Sequence, residues 1–328
     1  MHNVVVFGGS GFIGSHVVSR LSAAGCRVRV PTRRRERARH LLPLPTVELV
    51  ATDTFDQATL QRLVRGSDAV VNLVGVLHGR RGTPYGPAFE RAHVRLVDKL
   101  ANACLAEGVT RVVHVSAIGA DSHGPSMYLR SKGDGEAILR AQSALHWTIF
   151  RPSVVFGEGD SFLNLFASMQ RIAPVVPLGG ADQRFAPVHV GDVACAIEHA
   201  LCGPGAAATV GRIYELTGPG VYTLAELVRR AGVWAGIAHG RGRPVLKLPA
   251  PLARVLATVL EFVPGGPLMS RDNLDSMRHP SIAGGVLPGF APELGVAHPA
   301  SLEAIAPGYL GRRGMQGRFD DFRTGAGR

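Results

Sequence analysis

Tyr128 and Lys132 stand four positions apart in the run Tyr128-Leu129-Arg130-Ser131-Lys132, a spacing that puts both side chains on one face of a helix, one turn apart. A phenol with a pKa of about 10 is a poor base at neutral pH. An ammonium beside it favours the phenolate, and so does any other nearby positive charge. Such a pair can exchange the proton of a substrate hydroxyl while a hydride moves to or from a bound carrier. Ser116, twelve residues before Tyr128, is expected to hydrogen-bond the substrate carbonyl oxygen. The alternative for the trio is a Tyr and a Lys packed on a sheet, with a nucleotide bound and no turnover.

A hydride carrier has its own signature near the start of the chain. The segment Val4-Val5-Val6-Phe7-Gly8-Gly9-Ser10-Gly11-Phe12-Ile13-Gly14 places glycines at GxxGxxG spacing between an apolar strand and a helix. The glycines serve a tight turn, close backbone approach to a pyrophosphate, and helix-sheet packing. Gly8, Ser10, Gly11, Phe12, Ile13 and Gly14 are therefore the expected phosphate contacts at a helix N-terminus. A pyridine dinucleotide in this turn would bring its nicotinamide to Tyr128, with Lys132 lowering the phenol pKa and binding the nicotinamide ribose.

The second strand ends in Val28-Arg29-Val30-Pro31-Thr32-Arg33-Arg34, where NAD-preferring sites usually carry a carboxylate. Guanidinium groups suit a 2′-phosphate. NADP(H) is accordingly expected over NAD(H), with Arg33 as the main contact and Arg34 in support; solvated arginines are the alternative. Asp53 either accepts from the adenine amino group or, like Asp56, caps the next helix. Val74 and Gly75, where the fourth strand ends, are placed beside the adenosine ribose.

These residues need a scaffold that gathers strand ends. Apolar, β-branched runs at 3–7, 27–31, 47–51, 69–74, 111–116 and 146–150 alternate with helical periods at 11–24, 36–42, 57–64, 89–107 and 129–142. That is the pattern of a doubly wound parallel α/β sheet of the Rossmann type. Beyond Arg151 the alternation degrades, 186–190 reads again as a strand, Thr223 and Glu226 form a capping box for a helix to about 231, and 249–262 reads as helix. The expected organisation is a dinucleotide core over 1–157, a smaller substrate lobe over 158–310 that returns to the sheet near 186–202, and a basic tail over 311–328. The chain beyond 263 is expected to be mostly loop.

With 46% hydrophobic and 19% charged residues, the 328-residue chain is composed like a folded protein rather than a disordered one. Its net charge of +11 comes from arginine, since Lys99, Lys132 and Lys247 are its only lysines. No interleaving of basic and aromatic residues accompanies that charge, which argues against a nucleic-acid partner. Cys26, Cys104, Cys195 and Cys202 form no CxxC pair and no cluster at zinc-finger spacing, so reduced thiols and no metal are expected. A first strand at His2 or Asn3 leaves no room for a leader, and the apolar stretch 248–263 is too short and too interrupted by Arg254 and Glu261 to span a bilayer. A cytoplasmic location is the resulting expectation.

The glycine turn, Tyr128 with Lys132, Arg151-Pro152-Ser153-Val154-Val155-Phe156-Gly157, and Val188-His189-Val190-Gly191-Asp192-Val193-Ala194 together resemble the extended and atypical short-chain dehydrogenase/reductases, the NAD-dependent epimerase/dehydratase group. The likeness covers about the first 230 residues. Within that group, His114-Val115-Ser116-Ala117-Ile118-Gly119-Ala120-Asp121, Tyr128 to Glu136, and Pro267-Leu268-Met269-Ser270-Arg271-Asp272-Asn273-Leu274 are similar to the nucleotide-binding accessory subunit of respiratory complex I and its bacterial relatives. The resemblance implies that backbone from Pro152 to Val155 flanks the nicotinamide and that Asp192 links two lobes. Phe156 replaces a frequent Tyr, and His93 a frequent Asn, departures that weigh against sugar-nucleotide chemistry. His93 and His189 are expected to be structural.

Three functions follow. One is an NADP-dependent oxidoreductase acting on a small-molecule carbonyl or hydroxyl compound, lipophilic or quinone-related. The second is a non-catalytic nucleotide-bearing accessory or assembly protein, held peripherally at the inner face of a membrane or against a respiratory complex. The third is a nucleotide-sensing regulator.

Overall fold

The computed structural model describes residues 2–52, 55–261 and 269–311. Asp53 and all of the basic tail beyond Gly311 lie outside the described residues. The chain forms two compact units: one takes the chain up to Ser153 with Val190–Thr217 and Ala283–His298, the other Val154–His189, Gly218–Ile282 and the stretch from Pro299.

The first unit is built on seven parallel strands: β1 (Asn3–Phe7), β2 (Arg27–Thr32), β3 (Val47–Ala51), β4 (Ala69–Asn72), β5 (Arg111–Val115), β6 (His146–Pro152) and β7 (Arg212–Leu216). They lie in the order β7-β6-β5-β4-β1-β2-β3. The chain runs outward from β1 to β3 and then resumes on the other side at β4, so the winding reverses between β1 and β4. Ligands of such sheets bind outside the carboxyl ends of the strands at that reversal. Val4, Val5, Val6 and Phe7 are all buried, as are Val70, Val71, Val112 and Val113, the consequence of a parallel sheet covered on both faces.

Helices α1 (Phe12–Ala23), α2 (Gln57–Val64), α3 (Leu96–Ala106), α4 (Met127–Arg140) and α5 (Val190–Cys202) belong to this unit. Helix α1 buries Val17, Val18 and Leu21. It stops at Gly25, whose φ of +82° lets Cys26 N–H reach back to the Leu21 carbonyl at 3.0 Å. Asp56 caps α2 by accepting from Thr59 N–H at 2.8 Å, and Ser126 caps α4 by accepting from Leu129 N–H at 3.1 Å. Leu60, Val64, Val97, Leu100 and Leu139 close over Val5, Phe7 and Val70.

In the first unit two expectations need correction, and one strand was not expected. The segment 36–42 is a 3₁₀ turn, Arg35–Leu41, rather than an α-helix. The helix expected over 89–107 is a short turn at Pro87–Phe89, a π-helical stretch at Glu90–Arg95, and then α3. Strand β7 completes the sheet although no periodicity announced it: Arg-Ile-Tyr-Glu-Leu pairs only with β6, after the chain has passed through the second unit.

The second unit contains helices Phe162–Ile172 and Leu224–Trp234, which share a core of Leu163, Phe166, Leu227 and Val228 with Leu302 and Ala306. The Thr223–Glu226 capping box forms as expected. The strand expected at 186–190 is only Val188–His189, paired with Val155–Phe156. The part beyond 263 holds helices Arg271–Ser276 and Leu302–Leu310, so it is less loop-like than its glycine and proline content suggests. Among the described residues no helix is long and apolar enough to cross a membrane.

Candidate active site

The glycine turn sits at the carboxyl end of β1, where the winding reverses. Gly8 has φ of +80°, and a Cβ there would stand 3.0 Å from the Leu73 carbonyl carbon. A Cβ on Gly14 would lie 2.2 Å from the Gly8 oxygen, so any side chain would prise α1 off the turn. Gly11 caps α1 without a side chain, and the first turn carries no acidic residue. The leading amides of the helix, at Phe12 and Ile13, have no intrahelical acceptor, which leaves a positive helix end for an anion. These residues fit a dinucleotide phosphate, with Ser10 beside them at the mouth of the turn.

Arg33 and Arg34 follow β2 directly and are both exposed. β2 is the parallel neighbour of β1, so Arg33 and Arg34 follow the same carboxyl-end edge that carries the glycine turn. Thr32 Oγ1 donates to the Arg34 carbonyl at 3.2 Å and shapes this corner. No carboxylate occupies positions 27–34. On the other side of β1, β4 ends at Asn72, whose Oδ1 accepts from Val74 N–H at 3.1 Å and bends the chain towards Gly75.

Gly75 leaves room beside Lys132 and His93. A Cβ there would stand 3.5 Å from Lys132 Nζ and 3.7 Å from His93 Nε2. Lys132 is 4% exposed and donates from Nζ to the Val115 carbonyl at 3.0 Å. Ser116, one residue beyond β5, is 3% exposed. Its N–H donates to the Phe150 carbonyl at 2.7 Å, while its Oγ finds no partner among the described residues. A buried hydroxyl left unpaired costs stability unless something else supplies the bond. Tyr128 stands in the first turn of α4, half-buried, its ring edge-on to His93 at 5.6 Å and to Phe89 at 6.4 Å. The structure thus gathers Gly75, Ser116, Tyr128 and Lys132 within the first unit. Pro152 ends β6 there too, accepting from Ile118 N–H at 3.2 Å, whereas Val155 belongs to the second unit.

The electrostatics depart from the expectation that Lys132 lowers the Tyr128 pKa. Burial pushes the phenol up to about 12. Burial also brings the Lys132 ammonium down to about 8, against a smaller opposing pull from Glu136. The physical reason is that Lys132 directs its ammonium at a backbone carbonyl, while the desolvated phenol resists ionisation.

Four supporting residues were not legible as such in the sequence. His93 Nε2 accepts from Val76 N–H at 3.0 Å, and Nδ1 meets Ser131 Oγ at 2.8 Å. Ser131 Oγ itself donates to the Tyr128 carbonyl at 2.8 Å, so the imidazole proton is on Nδ1. Burial first, then Lys132 and His114, hold His93 neutral, down to about 2. His93 is therefore a positioning residue. His114 Nδ1 faces Asn72 Nδ2 at 3.2 Å, and its Nε2 has no partner among the described residues. The fourth, Glu136, pairs with Arg151. Only His93 carried a signal, as a departure from the Asn frequent at its position.

A model of the NAD dependent epimerase/dehydratase family matches residues 4–217. The chain is 30% identical over 284 residues to the NADH-ubiquinone oxidoreductase 40 kDa subunit, mitochondrial, of Neurospora crassa, covering 86% of this chain and 72% of that protein. It is 34% identical over 265 residues to NADH dehydrogenase (ubiquinone) 1 alpha subcomplex subunit 9, mitochondrial, of Arabidopsis thaliana, covering 79% of this chain and 63% of that protein. To the ceramide reductase of Caulobacter vibrioides it is 33% identical over 253 residues, with 76% and 74% covered. Among solved structures, a dTDP-glucose 4,6-dehydratase from Streptomyces venezuelae with NAD and TYD bound superposes with a TM-score of 0.70 at 24% identity, over 94% of this chain and 95% of that one. At that identity the likeness is one of fold.

Proposed function

The chain belongs to the NAD dependent epimerase/dehydratase family, and from that premise we propose that it is an NAD(P)H-dependent oxidoreductase, favouring NADP(H), that reduces a carbonyl compound of lipophilic character. The observation that carries this reading is the buried Ser116 Oγ, unpaired among the described residues and one residue beyond the carbonyl of Val115 to which Lys132 Nζ donates. When bound, the nicotinamide supplies or accepts the hydride. Ser116 Oγ donates to the substrate carbonyl oxygen, and Tyr128 Oη delivers the proton to that oxygen as it gains negative charge. A phenol that resists ionisation is a proton donor at neutral pH, which suits the reductive direction. Lys132, whose Nζ donates to the Val115 carbonyl, would hold the nicotinamide ribose. Arg33 and Arg34 hold the 2′-phosphate. The similarity to a ceramide reductase supports a lipophilic substrate. Purified protein is expected to oxidise NADPH with members of a panel of long-chain ketones, ceramides and quinones. NADPH binding with no turnover across the panel would refute the catalytic reading.

A second reading, a nucleotide-bearing accessory protein, is favoured by one observation besides the similarity to complex I subunits. Helix Ala250–Leu260 of the second unit exposes Leu252, Val255 and Val259 along one stripe, an apolar surface of the kind that meets a membrane or a protein partner. It predicts nucleotide retained through purification, no turnover, and recovery with the membrane fraction.

A further inference from the structure

On α5, away from the glycine turn, Cys195, Glu198 and His199 follow one another at i, i+3 and i+4, so all three side chains leave the same face of the helix. One donor atom from each lies within 4.8 Å of the others. Cys195 Sγ is 3.6 Å from His199 Nδ1, and that nitrogen is 2.9 Å from Glu198 Oε2. Two ligands of a tetrahedral zinc ion, with bonds of about 2.3 Å to sulfur and 2.05 Å to nitrogen, stand about 3.6 Å apart. The sulfur and nitrogen already have that separation.

The ring is also seated. Gly295 has φ of +67°, and a Cβ there would fall 2.2 Å from His199 Nε2 and from its Cδ2, so the imidazole lies flat against a glycine that only a bare backbone can provide. The Gly295 carbonyl faces Cys195 Sγ at 3.7 Å. The thiol and the carboxylate already collect positive charge: Arg20 NH2 lies 3.2 Å from Sγ and 3.4 Å from Glu198 Oε2. Arg20 reaches the pair from α1 with its side chain 42% exposed to solvent. None of these groups takes part in the dinucleotide or proton-transfer chemistry. Zinc-finger spacing does not reveal them, since a single helical turn, not a pair of loops, brings them together.

We propose that Cys195, Glu198 and His199 form a binding site for one divalent cation of the zinc class, with water completing the tetrahedron. Thiolate, imidazole and carboxylate are the donors that such a borderline-soft ion takes. On binding, the Cys195 thiol proton passes to solvent, the His199 proton resides on Nε2 so that Nδ1 gives up its 3.1 Å contact with the Cys195 carbonyl, and Glu198 exchanges its contact with the imidazole for one with the metal.

The test is a Co2+ titration of the untagged, full-length protein, followed by Zn2+ displacement. The expected result is one Co2+ per chain, with a thiolate-to-cobalt charge-transfer band that Zn2+ abolishes. The band is expected to survive in the Cys26→Ser/Cys202→Ser double variant and to vanish in Cys195→Ser. His199→Ala and Glu198→Gln are each expected to weaken Zn2+ binding by more than about ten-fold, since losing even a residue that merely supports a ligand costs that much. In the unaltered protein, Zn2+ is expected to protect Cys195 from iodoacetamide, read by peptide mass spectrometry. A missing band, a band that persists in Cys195→Ser, or alkylation of Cys195 indifferent to Zn2+ would overturn the proposal.

Discussion

Glu136 and Arg151 form a two-pronged ion pair, with Nε to Oε1 at 2.9 Å and NH2 to Oε2 at 2.6 Å. Glu136 is 2% exposed and lies one helical turn beyond Lys132, while Arg151 belongs to β6. The pair pins the helix of the reacting groups to the sheet. Removing one partner strands the other charge. Glu136→Ala is therefore expected to cost about 3 kcal/mol of unfolding free energy, measured by urea denaturation. A loss under about 1 kcal/mol would mean that solvent screens the pair.

Lys132 and Tyr128 give stability a pH signature. Lys132 falls from 10.5 to about 8 on folding, so between those values the unfolded chain holds a proton that the folded chain has released. The Lys132 contribution to stability must rise with pH across that window. Tyr128 rises from 10.0 to about 12, so above 10.0 the folded chain keeps a proton that the unfolded one loses, and stability must fall. Burial also raises the Cys104 and Cys202 thiols from 9.0 to about 12, which adds to the fall from 9.0 upward, so unfolding free energies should rise from about pH 8 to about pH 9 and decline above that. Lys132→Met should flatten the rise and spare the decline.

Tyr128→Phe removes the proposed proton donor and leaves the ring contacts with His93 and Phe89 in place. Turnover should drop by about 10² to 10⁴, with NADPH affinity unchanged by calorimetry. Equal turnover in the variant would assign the proton to another group.

Gly14→Ala would press a methyl group into the Gly8 carbonyl. A cost of about 1–3 kcal/mol is expected from that overpacking, together with loss of heat on titration with either pyridine nucleotide. Normal binding would place the phosphates elsewhere.

Arg33→Ser with Arg34→Ser should weaken NADPH binding by about ten-fold or more, since a charge-assisted hydrogen bond contributes about 1.5–3 kcal/mol, and should leave NADH binding nearly unchanged. Equal losses for both nucleotides would show that the arginines act on the shared pyrophosphate.

What the sequence made legible was local. Gly8, Gly11 and Gly14 lie within one turn of chain, Tyr128 and Lys132 within one turn of helix, and Thr223 reads its own cap from Glu226 three residues on. What escaped was held together across distance. Strand β7 pairs with β6 only after an excursion through the other unit, and Glu136 meets Arg151 from a separate element. His93 and Ser131 join the π-helical stretch to α4. The Tyr128 pKa escaped for a different reason: spacing shows that Lys132 is near, but not that a backbone carbonyl holds its ammonium or that burial outweighs it.

The wide turn at Glu90–Arg95 makes this edge of the molecule unusually intolerant of a single deletion. A π turn accommodates one more residue than an α turn, and each residue of an α-helix advances by about 100°. Shortening the stretch by one would leave a smooth, well-formed helix that local propensity could not distinguish from the original. It would also swing His93 about a quarter-turn away from Val76 and Ser131, and Tyr128 would lose the neighbour that orients its ring. Here the length of a helix, and not only its sequence, decides which groups meet at Tyr128.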